Sequence, residues 1–105
     1  MWVGESRLPE AIQAALPCLP QPQGEWVVYL LLCANGSLYC GISNHPQQRW
    51  QAHVQGLGAR FTRMHQPLQM RIVLAHLAKS VAARCEYRLK QLKAEDKRRL
   101  WQTLE

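Results

Sequence analysis

The dipeptide Asn35-Gly36, set between two runs of strand-forming residues, constrains this chain more than any other feature. A two-residue type I′ turn needs positive φ at both central positions, and Asn-Gly is a pair that tolerates it. Before it stand Val27, Val28, Tyr29, Leu30, Leu31 and Leu32, a β-branched, aromatic and aliphatic run. After it, Ser37, Leu38, Tyr39 and Cys40 start a return strand that Gly41 is expected to end. Residues 26–41 therefore predict a β-hairpin with Tyr29 and Tyr39 on neighbouring strands. By themselves, two phenols in a hairpin fill a core or an edge. The remainder of the chain changes that reading.

At 105 residues the chain suits one domain with a modest core. No segment approaches the roughly 20 uninterrupted apolar residues of a membrane span, and the first residues lack the basic-then-apolar pattern of a signal peptide. The expectation is a cytoplasmic protein with no membrane partner. Cys18, Cys33, Cys40 and Cys85 show no CxxC spacing and no paired histidines, which argues against zinc and for reduced, buried thiols. Charge is more informative. The chain carries +6 overall, and residues 26–94 hold nine Lys/Arg against a single carboxylate, Glu86. A region this basic suits nucleic acid, where neutralised phosphates release counterions. A lone acid inside it either pairs with the cations around it or holds a metal ion.

Residues 1–23 read as an N-terminal extension and residues 24–105 as the domain. Within the extension, residues 8–16 suit a short amphipathic helix that Pro17, Pro20 and Pro22 then stop. After the hairpin, Ser43-Asn44-His45-Pro46 predicts a helix start, with a capping side chain and then proline at an early position. This helix should cover residues 46–55 and end at Gly56 or Gly58. Arg49 and His53, four apart, share one face of it, beside an apolar stripe of Trp50 and Val54. Residues 56–67 form a loop with Arg60, Phe61 and Arg63. Residues 68–77 predict a third strand in which Met70, Ile72 and Leu74 alternate with Arg71, Val73 and Ala75. Ser80 should cap a second helix over residues 81–93, with Val81, Ala82, Cys85, Leu89 and Leu92 as its apolar stripe and Glu86 on the border. A last helix over residues 95–104 packs through Leu100, Trp101 and Leu104 and has Lys97, Arg98 and Arg99 as a basic flank.

This order of hairpin, helix, strand and helix resembles the GIY-YIG nuclease superfamily. The matching pieces are VYL at Val28-Tyr29-Leu30, YCG at Tyr39-Cys40-Gly41, QRWQAH from Gln48 to His53 and CEYRLKQL from Cys85 to Leu92. More closely, the chain is similar to small stand-alone bacterial GIY-YIG proteins, over about residues 25–100. Its first motif departs from the namesake by carrying Val28 and Leu30 around the tyrosine. The second has Cys40 at its middle position. The asparagine that many members place after the glutamate helix has no counterpart here. The resemblance implies an α/β (α+β) fold: a small, mostly antiparallel three-stranded sheet flanked by helices.

It also implies a catalytic set of Tyr29, Tyr39, Arg49, His53 and Glu86. Phosphodiester hydrolysis needs an activated water, a charge clamp on the phosphate and a metal or acid near the leaving oxygen. Glu86 is the carboxylate within residues 26–94 able to hold Mg²⁺ or Mn²⁺, since one carboxylate, waters and a substrate phosphate make a normal ligand set. Arg49 suits bidentate phosphate contact. In the family's pattern Tyr29 would be the general base, which asks for a pKa lowered by nearby positive charge. Tyr39 would bond the phosphate or water, and His53 would assist proton transfer or orient a tyrosine. Arg60, Phe61, Arg63, Arg88 and Lys90 are expected to grip nucleic acid. The function so expected is a metal-dependent DNA endonuclease of the repair or recombination type. Its substrate would be single-stranded, branched or flap DNA, and it would work alone or with a repair-complex protein partner. The alternative is a nucleic-acid-binding module of the same fold with weak or no activity. A third reading, a protein-interaction domain using the basic last helix, predicts salt-insensitive partner binding.

Overall fold

The computed structural model describes residues 24–58 and 64–104. The expected extension over residues 1–23, and Arg60, Phe61 and Arg63, lie outside the described residues. Among the described residues, three strands, β1 (Trp26–Cys33), β2 (Leu38–Ser43) and β3 (Pro67–Leu77), and three helices, α1 (Pro46–Val54), α2 (Lys79–Lys90) and α3 (Ala94–Thr103), follow in the order β1-β2-α1-β3-α2-α3. The sheet has the order β2-β1-β3, and both pairings are antiparallel. This is the expected α+β architecture.

β1 takes the centre because both of its faces are apolar. Val28 and Leu30 point into a core with Cys40, Val73, Leu74, Ala82, Cys85, Leu89 and Leu100, which α2 and α3 cover. Val27, Tyr29, Leu31 and Cys33 point the other way, into a smaller cluster with Tyr39, Trp50, Met70 and Ile72 beneath α1. A strand buried on both sides reads as a continuous hydrophobic run, and residues 27–32 have that character.

Several local expectations are corrected. The hairpin is not closed by a two-residue type I′ turn. Gly36 N–H donates to Cys33 carbonyl at 2.9 Å, and Gly36 has φ +85° while Asn35 does not have positive φ. One left-handed residue suffices here, because the connection runs over residues 34–37 and Cys33 N–H closes on Ser37 carbonyl at 2.9 Å. Asn35 instead accepts Ser37 N–H through its side chain at 3.1 Å. Helix α1 has His45 at its N-cap with no side-chain cap, and Ser43 Oγ accepts the His45 N–H at 2.9 Å. Helix α2 starts two residues earlier than predicted, with Ala78 at the cap, so Ser80 lies in its first turn, and it stops at Lys90. β3 does not alternate cleanly. Its register against β1 shifts between Trp26 and Val28 and again between Val28 and Tyr29, which puts both Val73 and Leu74 in the α2/α3 core. His76, at φ +60°, sits in the first of these irregularities.

Arg71, counted above with the basic residues suited to phosphate, has structural work instead. Its Nη1 donates to the Trp101 carbonyl at 2.7 Å and the Leu104 carbonyl at 3.2 Å, and its guanidinium lies 4.3 Å from the Trp101 ring centroid. A cation bonded to the last carbonyls of a helix opposes the dipole there and satisfies orphan acceptors. The link ties the C-terminus of α3 to β3.

Candidate active site

The face of the sheet beneath α1 gathers four of the five expected catalytic residues. Tyr29, in the middle of β1, is buried and lies directly opposite Gly41 of β2. Gly41 is inside β2 and not at its end, which corrects its expected role as a strand terminator. A Cβ built on Gly41 would fall on the hydroxyl and Cζ of Tyr29. The phenol therefore lies flat across a strand position that has no side chain, and only glycine leaves room for it.

Helix α1 supplies the partners. His53 is its fully buried residue, and Nε2 lies 3.0 Å from the Tyr29 hydroxyl. Its imidazole meets both tyrosine rings edge to face, with centroids 5.9 Å from Tyr29 and 6.0 Å from Tyr39. Val54, expected to pack on the sheet, is 51% exposed; His53 and Trp50 make the packing surface instead. A second glycine makes this fit. A Cβ on Gly58 would strike His53 Nδ1, whereas Gly56, at φ +77°, is the residue that turns the chain out of the helix. Arg49, one turn before His53, lies near enough to the Tyr29 phenol for its positive charge to favour the phenolate.

The Tyr29 hydroxyl and His53 Nε2 share one hydrogen bond, in which the phenol is the donor when the imidazole carries its proton on Nδ1. Burial pushes the Tyr29 phenol above its ordinary 10.0, and the opposing pull of Arg49 only partly offsets this. The expected lowering of that pKa is thus not found, because desolvation of a phenolate outweighs one neighbouring guanidinium. Burial, with Arg49 adding to it, pushes His53 below its ordinary 6.5. At neutral pH the pair is phenol and neutral imidazole, joined by one proton.

A pH prediction follows. A histidine with a lowered folded-state pKa contributes stability that is present above 6.5 and lost as pH falls from there through the folded value. A tyrosine with a raised pKa contributes stability present below 10.0 and lost as pH rises through its folded value. Denaturant unfolding across pH should show a plateau between these limits. His53→Leu should remove the acid limb attributable to this residue and leave the alkaline one. An acid limb unchanged in that variant would refute the assignment.

Glu86 is placed differently. It is on α2, which covers the opposite face of the sheet and packs along the edge strand β2. Its carboxylate pairs with Lys90 Nζ at 3.5 Å, and the same ammonium lies 5.7 Å from the Tyr39 ring centroid. Burial and the nearby Glu86 together push the Cys40 thiol, next to Tyr39, up to about 12. Lys90 thus links the carboxylate to Tyr39 at the β2 edge. Arg88 is exposed on the same helix. Cys33, Cys40 and Cys85 are buried free thiols.

This assembly can be set beside known proteins. The GIY-YIG catalytic domain model matches residues 25–99, a span running from the start of β1 into α3.

The chain belongs to the GIY-YIG family.

Its similar relatives are UPF0213 proteins. One from Neisseria meningitidis serogroup C is 50% identical over 80 residues, covering 76% of this chain and 88% of the relative. One from Xanthomonas campestris pv. campestris is 47% identical over 72 residues, covering 69% and 68%. No solved structure matches the chain significantly. GIY-YIG domains make up a family of nucleases that generally depend on divalent metal. No helix among the described residues is long and apolar enough to cross a membrane.

Such an ion needs oxygen donors that leave room for its waters. Among the described residues no cluster of three or more His, Cys, Asp or Glu forms a protein-built metal cage. Glu86, with its side chain 23% exposed, is an accessible oxygen donor already facing a cation, the Lys90 ammonium. One open carboxylate fits a hard ion that keeps its waters and takes its remaining ligands from a phosphate. The sequence offered Gly58 only as a possible helix end, not as room for His53, and gave no sign of the link from Lys90 to Tyr39. Both are contacts between elements distant in the chain, and neither leaves a local pattern.

Proposed function

We propose that this GIY-YIG protein is a divalent-metal-dependent endonuclease that hydrolyses phosphodiester bonds in DNA, preferring single-stranded, branched or flap forms. The observation that carries the reading is the buried hydrogen bond from Tyr29 to His53 Nε2, 3.0 Å long, with Arg49 beside the same phenol. In a nuclease site this arrangement solves a particular problem. A phenol whose pKa is raised by burial cannot wait as phenolate, but it can take a proton from water while passing its own to a neutral imidazole. Tyr29 is then the group that meets the water and His53 the proton's destination. Arg49 steadies the phenol oxygen as charge develops and bonds the phosphate. Tyr39, at the sheet edge, bonds the phosphate or the water.

Glu86 would hold Mg²⁺ or Mn²⁺. The ion would supply charge neutralisation at the phosphate and leaving oxygen. Lys90, paired with Glu86, and exposed Arg88 lie on the helix that borders β2 and suit contacts to the strand's backbone. The basic charge supports DNA as the substrate, and repair or recombination is the setting in which unpaired or branched DNA arises.

The test is cleavage of a labelled panel of single-stranded, duplex, flap and branched DNA with Mg²⁺ or Mn²⁺. Wild type should cut at least one unpaired or branched form. Glu86→Gln should lose turnover by at least about 10²-fold and bind the same DNA as well or better, since an anion near phosphate is gone. Binding without cutting in either metal would replace this reading with that of a nucleic-acid-binding module.

A further inference from the structure

Beside the tyrosines, the same sheet face carries a groove of about 620 Å³ between α1 and β3. Half-buried Trp50, Met70 and Ile72 line it together with exposed Leu68 and the exposed glutamines of α1, Gln47 and Gln51. Gln47, Trp50 and Gln51 fall at helical spacing, so α1 presents them as one stripe, and Leu68, Met70 and Ile72 face them from β3. From this groove we infer a nucleobase-binding subsite: one base of an unpaired strand enters it, its ring against Trp50 and its edge against the glutamine amides. The inference rests on the nuclease reading above and names what that site does with the nucleotide beside the reacting phosphate.

Three observations select this occupant. The groove is uncharged although the chain carries +6, so it is not built for a phosphate or a carboxylate. Its chemistry is a flat aromatic and a thioether combined with amides that both donate and accept. A nucleobase has that same pair of properties, an apolar face and a mixed polar edge. Its position is also suitable. Trp50 follows Arg49 in α1, and Ile72 is paired across the sheet with Tyr29. A strand whose phosphate meets Arg49 therefore brings its adjoining base to the mouth of the groove. In duplex DNA that base is stacked and paired, so the subsite favours single strands and junctions. Recognition through amide edges and stacking tolerates more than one base, as expected of a single pocket with no charged reader.

The test compares a short oligothymidylate with an abasic strand of the same length and charge, both binding the whole chain in EDTA so that nothing is cut. Wild type should bind the thymidylate about ten-fold or more tighter, the size of one base–aromatic stack. Trp50→Leu should shrink this ratio to about two-fold or less while leaving affinity for the abasic strand unchanged. The Gln47→Ala/Gln51→Ala pair, exposed positions whose loss does not endanger folding, should reduce the ratio by about three-fold and guards against a misfolded Trp50 variant. Equal wild-type affinity for the two strands, or a ratio that survives in both variants, overturns the subsite and leaves the nuclease reading standing. Failure to bind either strand overturns both.

Discussion

Tyr29→Phe is expected to slow DNA cleavage by about 10²–10⁴-fold, the usual contribution of a group that moves a proton in the transition state. It should leave DNA affinity within about two-fold, because the hydroxyl makes no ground-state contact that Arg49 and Tyr39 cannot supply. The substitution also strands a buried imidazole. The Tyr29 hydroxyl lies 3.0 Å from His53 Nε2, and both side chains are buried. Losing that partner should lower unfolding free energy by about 1–3 kcal/mol, the cost of an unsatisfied buried polar group. Single-turnover cleavage and denaturant unfolding on one preparation separate the two effects. A variant that is destabilised but cuts at the wild-type rate would reduce Tyr29 to a packing residue. One that is stable but inactive would mean that water, not the protein, satisfies His53.

Gly41→Ala should damage both stability and activity, although on general grounds it looks harmless. Gly41 has no positive φ, and at such a position Gly→Ala usually stabilises by about 0.4–1 kcal/mol through the unfolded chain. Here the added methyl would land on the Tyr29 phenol. Fully buried Tyr29 has no spare room, so the ring or the β1–β2 pairing must shift, at about 1–3 kcal/mol. Whichever gives way, the phenol leaves His53, and cleavage should fall about as far as in Tyr29→Phe. A double-mutant cycle identifies the cause. With Tyr29→Leu already in place the methyl meets no phenol, so Gly41→Ala should cost markedly less than it does in wild type. Strict additivity would show that the glycine matters for some reason other than the ring lying across it.

The sequence by itself determined the elements and their order. Apolar runs at period two and stripes at helical spacing specify strands and helices locally, and residues 27–32 already read as a strand buried on both faces. It also determined that Arg49 and His53 would lie one turn apart, since that follows from helix geometry alone. The turn was legible as a turn but not by type, because Asn35-Gly36 is compatible with more than one connection and the flanking pairing selects among them.

The tertiary structure decided everything that depends on register and burial. Whether Gly41 ends a strand or makes room for a phenol depends on which residue of β1 it faces, and that is Tyr29. Arg71 belongs to the C-terminus of α3 and not to a phosphate site because β3 brings it beneath Trp101. Glu86 approaches from the other side of the sheet, a placement set by how α2 crosses β2. A general-base role for Tyr29 asks for a lowered pKa, yet burial raises it, because desolvation depends on the atoms packed around a group and not on its neighbours in the chain. Local pattern is written in neighbouring residues; register, burial and the field at a buried atom arise only when distant segments meet.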